Sequence, residues 1–212
     1  MKIALMSEFS QAAKNAVVLQ QLSEVASEQN HSVFNVGMSD DNDHYLTYIH
    51  LGIIASLLLN SKAVDFVVSG CGTGQGALMS LNAHPGVTCG YCIEPSDAFL
   101  FAQINNGNAL ALPFAKGFGW GAELNIRYIF EKAFGGLRGQ GYPAERKESQ
   151  VRNAGILSSI KSAVAKDYLE GLKAIDPELV KTAVTGERFQ ACFFENCQDD
   201  NIRAFVSGIL GK

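Results

Sequence analysis

The sequence predicts an α/β protein: a doubly wound, Rossmann-like parallel sheet of about five strands with helices on both faces, followed by a C-terminal helical extension. Three observations carry this expectation. Short apolar runs alternate with helix-like stretches from residue 2 to about 136, the pattern of parallel sheets whose crossovers are helices. The loops after the first, third and fourth runs, MSEFS, SGCGTGQG and CIEPSD, are unusual sequences at the strand ends where such folds hold ligands. Beyond about residue 155 the alternation stops and helix-like segments remain. The expected organisation is a Rossmann-like unit over 1–154 and an extension over 155–212 packed on the same body.

Taken in order, KIALM reads as the first strand and SQAAKNAVVLQQLSEVASEQN as a helix; HSVFNVG is a second strand. HYLTYIHLGIIASLLLNS is a second helix, and its run LGIIASLLLN is too short to span a bilayer, so it reads as a buried helix. AVDFVVSG, VTCGYCI and NALALP supply the third, fourth and fifth strands, separated by helices at QGALMSLNAH and SDAFLFAQINNG. WGAELNIRYIFEKAFGG closes the alternating part with a long helix. In the tail, KSAVAKDYLEGLKAI and DPELVKTAVTG read as helices, the second with Asp176 as N-cap and Pro177 in its first position.

Composition narrows the function classes. With 47% hydrophobic and 18% charged residues the chain is an ordinary globular protein, and a net charge of -4 gives no basic footprint for nucleic acid or an anionic membrane. MKIALMSEF runs straight into a polar turn without a secretory h-region, so a cytosolic protein is expected. The five cysteines have no paired zinc spacing; Cys89 and Cys92 form a C-x-x-C, but inside a strand-like run, which favours buried hydrophobes over a redox pair. No metal or organic cofactor is expected.

The loop from Gly70 to Gly76 places four glycines at alternate positions around Cys71. It has three readings. Gly72 to Ala77 fits G-x-G-x-x-A after a strand, with Glu94 near the end of the next strand for a ribose hydroxyl, as in a dinucleotide-binding oxidoreductase. That fingerprint normally opens its domain, however, and does not explain the cysteine. The glycines alternatively serve a tight turn and close helix packing, for which one would suffice. In the third reading the exposed amides stabilise an oxyanion at a helix start while the thiol acts as a base, the chemistry of an enediolate beside a carbonyl.

At this point the chain resembles the ribose-5-phosphate isomerase B and galactose-6-phosphate isomerase family of aldose-ketose isomerases. The resemblance runs from Met1 to about residue 153 and is strongest in SGCGTGQG, HPGVTCGYCIEPSDA and NNGNALAL. It implies that Cys71 is the proton-transfer base, with Thr73 as its hydroxyl partner, and that Gly72, Gly74 and Gly76, with Gln75 between them, bind the enediolate. It further implies substrate contacts from Asn105, Asn108, Tyr48 and Arg146. Family members form dimers with shared sites, so a homodimer or dimer of dimers acting on a small sugar or sugar acid is expected.

The chain also departs from the family pattern. Ser7-Glu8-Phe9 stands where the family has serine-aspartate-histidine, Ile93 where it has the ring-opening histidine, and Phe99, Ala102 and Gln150 where it has arginines. A silent partner subunit of a hetero-oligomer is one explanation. The intact cysteine loop favours another: an active isomerase whose substrate is already open-chain and ends in a carboxylate, such as a keto-uronate. Glu8 is then a candidate acid-base group beside Ser7. His50 is a candidate for the missing histidine, balanced against a structural role between Ile49 and Leu51.

Overall fold

The computed structural model describes residues 1–212. Five strands, β1 (Lys2–Ser7), β2 (Ser32–Asn35), β3 (Phe66–Cys71), β4 (Cys89–Tyr91) and β5 (Ala109–Pro113), form one sheet in the order β2-β1-β3-β5-β4. All four pairings are parallel. The chain leaves β1 towards β2 on one side and returns to β3 on the other, so the loops after β1 and β3 diverge from neighbouring strand ends, where α/β folds open a crevice.

The crossovers are α1 (Asn15–Glu28), α2 (Tyr48–Asn60), α3 (Gln75–Asn82) and α4 (Pro95–Leu100), and α5 (Ala122–Phe134) follows the last strand. A 3-10 turn, Phe9–Lys14, precedes α1, and α4 loosens into a short π-helix, Phe101–Asn105, where the sequence suggested a single helix. The strand expected over VTCGYCI is paired only at Cys89–Tyr91. Strand alternation sorts the core into two layers. Ile3, Leu5, Phe66, Val68, Leu110 and Leu112 face α1 and α5, whereas Ala4, Met6, Val67, Ala109 and Ala111 face α2 and α3.

The tail holds five helices rather than the two expected: α6 (Lys147–Val164), α7 (Tyr168–Ala174), α8 (Pro177–Val184), α9 (Glu187–Asn196) and α10 (Asp200–Leu210). Asp176 caps α8 through the Glu178 amide, with Pro177 in its first position, as the sequence indicates. The division expected between 154 and 155 falls inside α6. The helices after α6 lie over α2: Leu172, Val180, Phe189, Phe193, Ile202 and Val206 share one buried cluster with Leu51, Ile54, Leu57 and Leu58. Every residue of α2 from His50 to Leu58 is buried as a result, which is why this helix is apolar all round. No helix is long and apolar enough to cross a membrane.

Because the extension and the sheet share that core, Phe193→Ala should lower stability by about 3–5 kcal/mol in a single cooperative urea transition followed by circular dichroism. A separate early transition of the extension, with the remainder unaffected, would refute the shared core.

Candidate active site

Helices that follow parallel strands begin at the strands' C-terminal edge, so the topology gathers the loop after β1, the first turn of α2 and the glycine loop there. Ser7 pairs with Gly70 in the β1–β3 register, which sets the first and third loops side by side. Ser10 Oγ and Gln11 Nε2 lie 4.0 and 3.7 Å from where a Cβ on Gly72 would stand.

Cys71 is the last residue of β3, and its side chain is buried on the α2/α3 side of the sheet. Pairing with the chain after β5 continues into the loop: Phe114 N donates to Cys71 O and Ala115 N to Gly72 O, both at 2.9 Å. Three of the four glycines are demanded by close packing. A Cβ on Gly70 would overlap the Phe114 ring, and one on Gly76 would lie 3.0 Å from the Tyr48 ring. Gly74 has φ +75° and backs onto the Tyr91 ring and the Leu112 carbonyl carbon, so a side chain is excluded twice over. Packing therefore explains more of the glycine pattern than the sequence suggested, and only at Gly72 is the neighbourhood open.

The loop amides remain available. From Gly72 to Gly76 only the Gln75 N–H has an acceptor within the chain, the Thr73 Oγ1 at 3.3 Å. Tyr91 Oη pins the loop by donating to Thr73 O at 2.9 Å, while Thr73 and Gln75 are exposed. This set of unpaired N–H groups at the start of α3, beside a buried thiol, is suited to an oxyanion.

The first loop is more tightly bound internally than a free catalytic group would be. Glu8 is buried and caps the 3-10 turn, accepting from Ser10 N at 3.1 Å and Ser10 Oγ at 2.5 Å. Ser7 Oγ accepts from Asn15 Nδ2 at 3.1 Å, turning it towards α1. His50 forms a capping box with Thr47, its Nδ1 accepting from Thr47 N at 2.9 Å. The proton is therefore on Nε2, since both hydrogen bonds of the ring within the chain are made by Nδ1. Burial, with His44 nearby, lowers the His50 pKa from 6.5, keeping the ring neutral at neutral pH.

Asn105, Asn108 and Arg146 lie at the opposite edge. Asn108 immediately precedes β5, Asn105 ends the π-helix before it, and Arg146 precedes α6. Five-residue strands put roughly 15–20 Å between the two edges. Asn108 spends its amide internally, accepting from Thr88 N and donating to Gly86 O, both at 2.8 Å. Asn105 and Arg146 are exposed. Asn105 and Asn108 line a cleft of about 740 Å³ with Gln150 and Lys161 from α6, and this cleft is thus remote from Cys71 within one chain.

The sequence reading passed over Tyr91, Gln11 and Lys14. Lys14 Nζ donates to Gln11 Oε1 at 3.0 Å and Phe114 O at 2.5 Å and lies 4.8 Å from the Phe118 ring centre, with no carboxylate partner. The available signal was the spacing of Gln11 and Lys14, one helical turn apart. Burial pushes the Cys89, Cys92 and Cys192 thiols up to about 12, which keeps these three protonated, and all five cysteines are unpaired.

A family model described as ribose/galactose isomerase matches residues 3–134, more than half the chain. The chain belongs to the ribose/galactose isomerase family. This isomerase also matches, over residues 163–209 of its extension, a second model described as ribose-5-phosphate isomerase. A ribose-5-phosphate isomerase structure from Vibrio parahaemolyticus is 69% identical over 99% of both chains, with a TM-score of 0.97. A 4-deoxy-L-threo-5-hexosulose-uronate ketol-isomerase complexed with a tartrate is 50% identical over 100% of both, with a TM-score of 0.98. The type B ribose 5-phosphate isomerase of Trypanosoma cruzi, 18% identical over 77% of this chain and 99% of its own, shares the fold with a TM-score of 0.64. Comparison with curated proteins gives no match. Family membership selects a sugar isomerase over the dinucleotide-binding alternative.

All four histidines, 31, 44, 50 and 84, have pKa values lowered from 6.5, with burial the largest cause in each. A depressed histidine supports stability above its unfolded pKa, and that stability is lost as pH falls below 6.5 because the unfolded chain binds the proton first. The thermal midpoint should drop between about pH 7.5 and 5.5. His50→Gln, which keeps an acceptor for the cap, should make the drop smaller; an unchanged pH slope would refute the buried neutral His50.

Proposed function

We propose that this isomerase interconverts an open-chain keto-uronate bearing an aldehyde and the corresponding 2-ketose, through an enediolate with Cys71 as the base. The observation that carries the mechanism is the glycine loop: a buried thiol at the end of β3 beside a run of amides without acceptors. In this reading the Cys71 thiolate takes the proton from C2, and the charge moves to the C1 oxygen, held by the Gly72 to Gly76 amides and Thr73. Return of the proton to C1 and transfer of the O2 hydrogen to the C1 oxygen leave a hydroxyl at C1 and the ketone at C2. No ring opens, so the absence of a histidine at Ile93 costs nothing.

The substrate class rests on the full-length 50% likeness to a hexosulose-uronate isomerase, and on charge. Lys14 is a fixed ammonium bonded to Gln11, whose amide lies beside Gly72; it is suited to a carboxylate, whereas a phosphate dianion would be under-compensated by it. Glu8 and His50 are the acid-base and carbonyl-polarising groups within reach of this edge, and Tyr48 walls it at Gly76.

A second copy of the chain supplies Asn105, Asn108 and Arg146 in this reading, forming a homodimer or dimer of dimers. The supporting feature is α6, an 18-residue helix with no buried residue, which leaves Val151, Ile156, Leu157, Ile160 and Val164 each more than half exposed beside the Asn105 cleft.

Cys71→Ala should lower kcat by at least ~10²-fold without loss of folding, and turnover within a factor of about two of wild type would remove the base assignment. On one preparation, the keto-uronate should show a higher kcat/KM than ribose-5-phosphate; the reverse order would restore a phosphate substrate. Mixing inactive Cys71→Ala with an inactive Asn105→Ala variant should recover up to about one quarter of wild-type activity, because exchange creates heterodimers with one intact site. No recovery after exchange would place all groups of a site on one chain.

A further inference from the structure

We infer that Arg188, in the first turn of α9, is a positioning residue for the isomerisation: it holds the segment 37–47 so that Tyr48 and the start of α2 sit over the glycine loop. The inference rests on the reaction taking place at the Cys71 edge, as proposed above. Arg188 Nη2 donates to Gly37 O at 2.7 Å and to Asp43 Oδ2 at 2.6 Å. The same carboxylate oxygen accepts from Ser39 N at 2.5 Å and Ser39 Oγ at 2.9 Å, closing the segment on itself. Burial opposes the Asp43 charge, but the bonds from Ser39 and Arg188 prevail and hold its carboxyl down at about 2.

Gly186, the residue before α9, packs against the His44 imidazole, and a Cβ there would overlap the ring. His44 Nε2 is buried without a hydrogen-bond partner, so packing rather than bonding fixes that ring. Both ends of the segment reach the site. Gly37 packs on the Ser7 backbone, and Met38 N donates to Ser7 O at 2.9 Å. At the other end Phe9 N donates to Leu46 O at 2.9 Å, the Phe9 and Tyr45 rings lie 4.7 Å apart, Thr47 caps α2, and Tyr48 covers Gly76. The Arg188–Asp43 pair is partly exposed, 42% and 22%, and such pairs add little to global stability, which leaves a local function for it.

The kinetic test compares Arg188→Ala, Arg188→Lys and Gly186→Ala with Arg203→Ala in the full-length enzyme. Arg203 braces the far end of α9 through Phe194 O and Cys197 O and touches none of the segment 37–47. Arg188→Ala should raise KM about tenfold with kcat within about threefold of wild type, Arg188→Lys should recover most of the loss, and Gly186→Ala should raise KM with the arginine intact. Arg203→Ala should lower the melting temperature at unchanged KM. A second readout needs no substrate: amides of 38–47 should exchange hydrogen faster in Arg188→Ala, and those of β3 at the wild-type rate. Unchanged KM overturns the positioning role, and so does a raised KM with unchanged exchange, or an equal KM rise in Arg203→Ala. A wild-type enzyme inactive on both sugar acids and sugar phosphates would defeat the proposed function instead, and the exchange rates alone would then decide the clamp.

Discussion

Helix α2 lies between two apolar surfaces, the sheet below and the extension above, and much of the molecule depends on that burial. Its residues from His50 to Leu58 have no solvent face. An apolar cylinder of this kind is stable only when both sides are covered, so α8 and α9 complete the core rather than decorate it. In the proposed reaction this burial bears on the chemistry, because the first turn of the same helix carries Tyr48 and His50. A helix immobilised along its length presents a fixed N-terminal turn, and preorganised groups of this sort give an enzyme its geometry without rearrangement at each turnover.

The glycine loop shows how packing and chemistry share one sequence. Phe114 and Tyr91 approach so closely that side chains on Gly70 and Gly74 would collide with them, and one on Gly76 would press tightly on Tyr48. Those contacts keep the loop thin and rigid, and rigidity leaves its amides pointing away from any internal acceptor. The aromatic wall and the unpaired amides are therefore two results of the same backbone path. Cys71 shares in it, held between β1 and β5 at the end of the central strand.

The residues that resemble family substrate contacts occupy both ends of a parallel sheet, and no motion of one compact chain brings opposite strand ends together. In the proposed homodimer a two-fold partner would do so without deforming either copy, since each copy would contribute one edge to each of two sites. The exposed apolar stripe of α6 and the cleft beside Asn105 fit that arrangement. The extension then has two separate duties: α6 faces outwards, while the helices after it cover α2.

The sequence by itself determined the strand-helix alternation, the parallel sheet, the buried character of LGIIASLLLN, the Asp176 cap and the family motif around Cys71, because each rests on local period or on residues adjacent in the chain. It also suggested that absent arginines at Phe99, Ala102 and Gln150 mean a less charged substrate. Only the tertiary structure decided what depends on distant contacts. Three of the four glycines answer to rings supplied by Phe114, Tyr91 and Tyr48, none of them adjacent in sequence. Lys14 gains its place through a carbonyl 100 residues away, and Arg188 through an aspartate 145 residues away. Asn105 and Cys71 look like neighbours in a motif order, yet strand direction puts them at opposite edges, since one precedes its strand and the other ends its own.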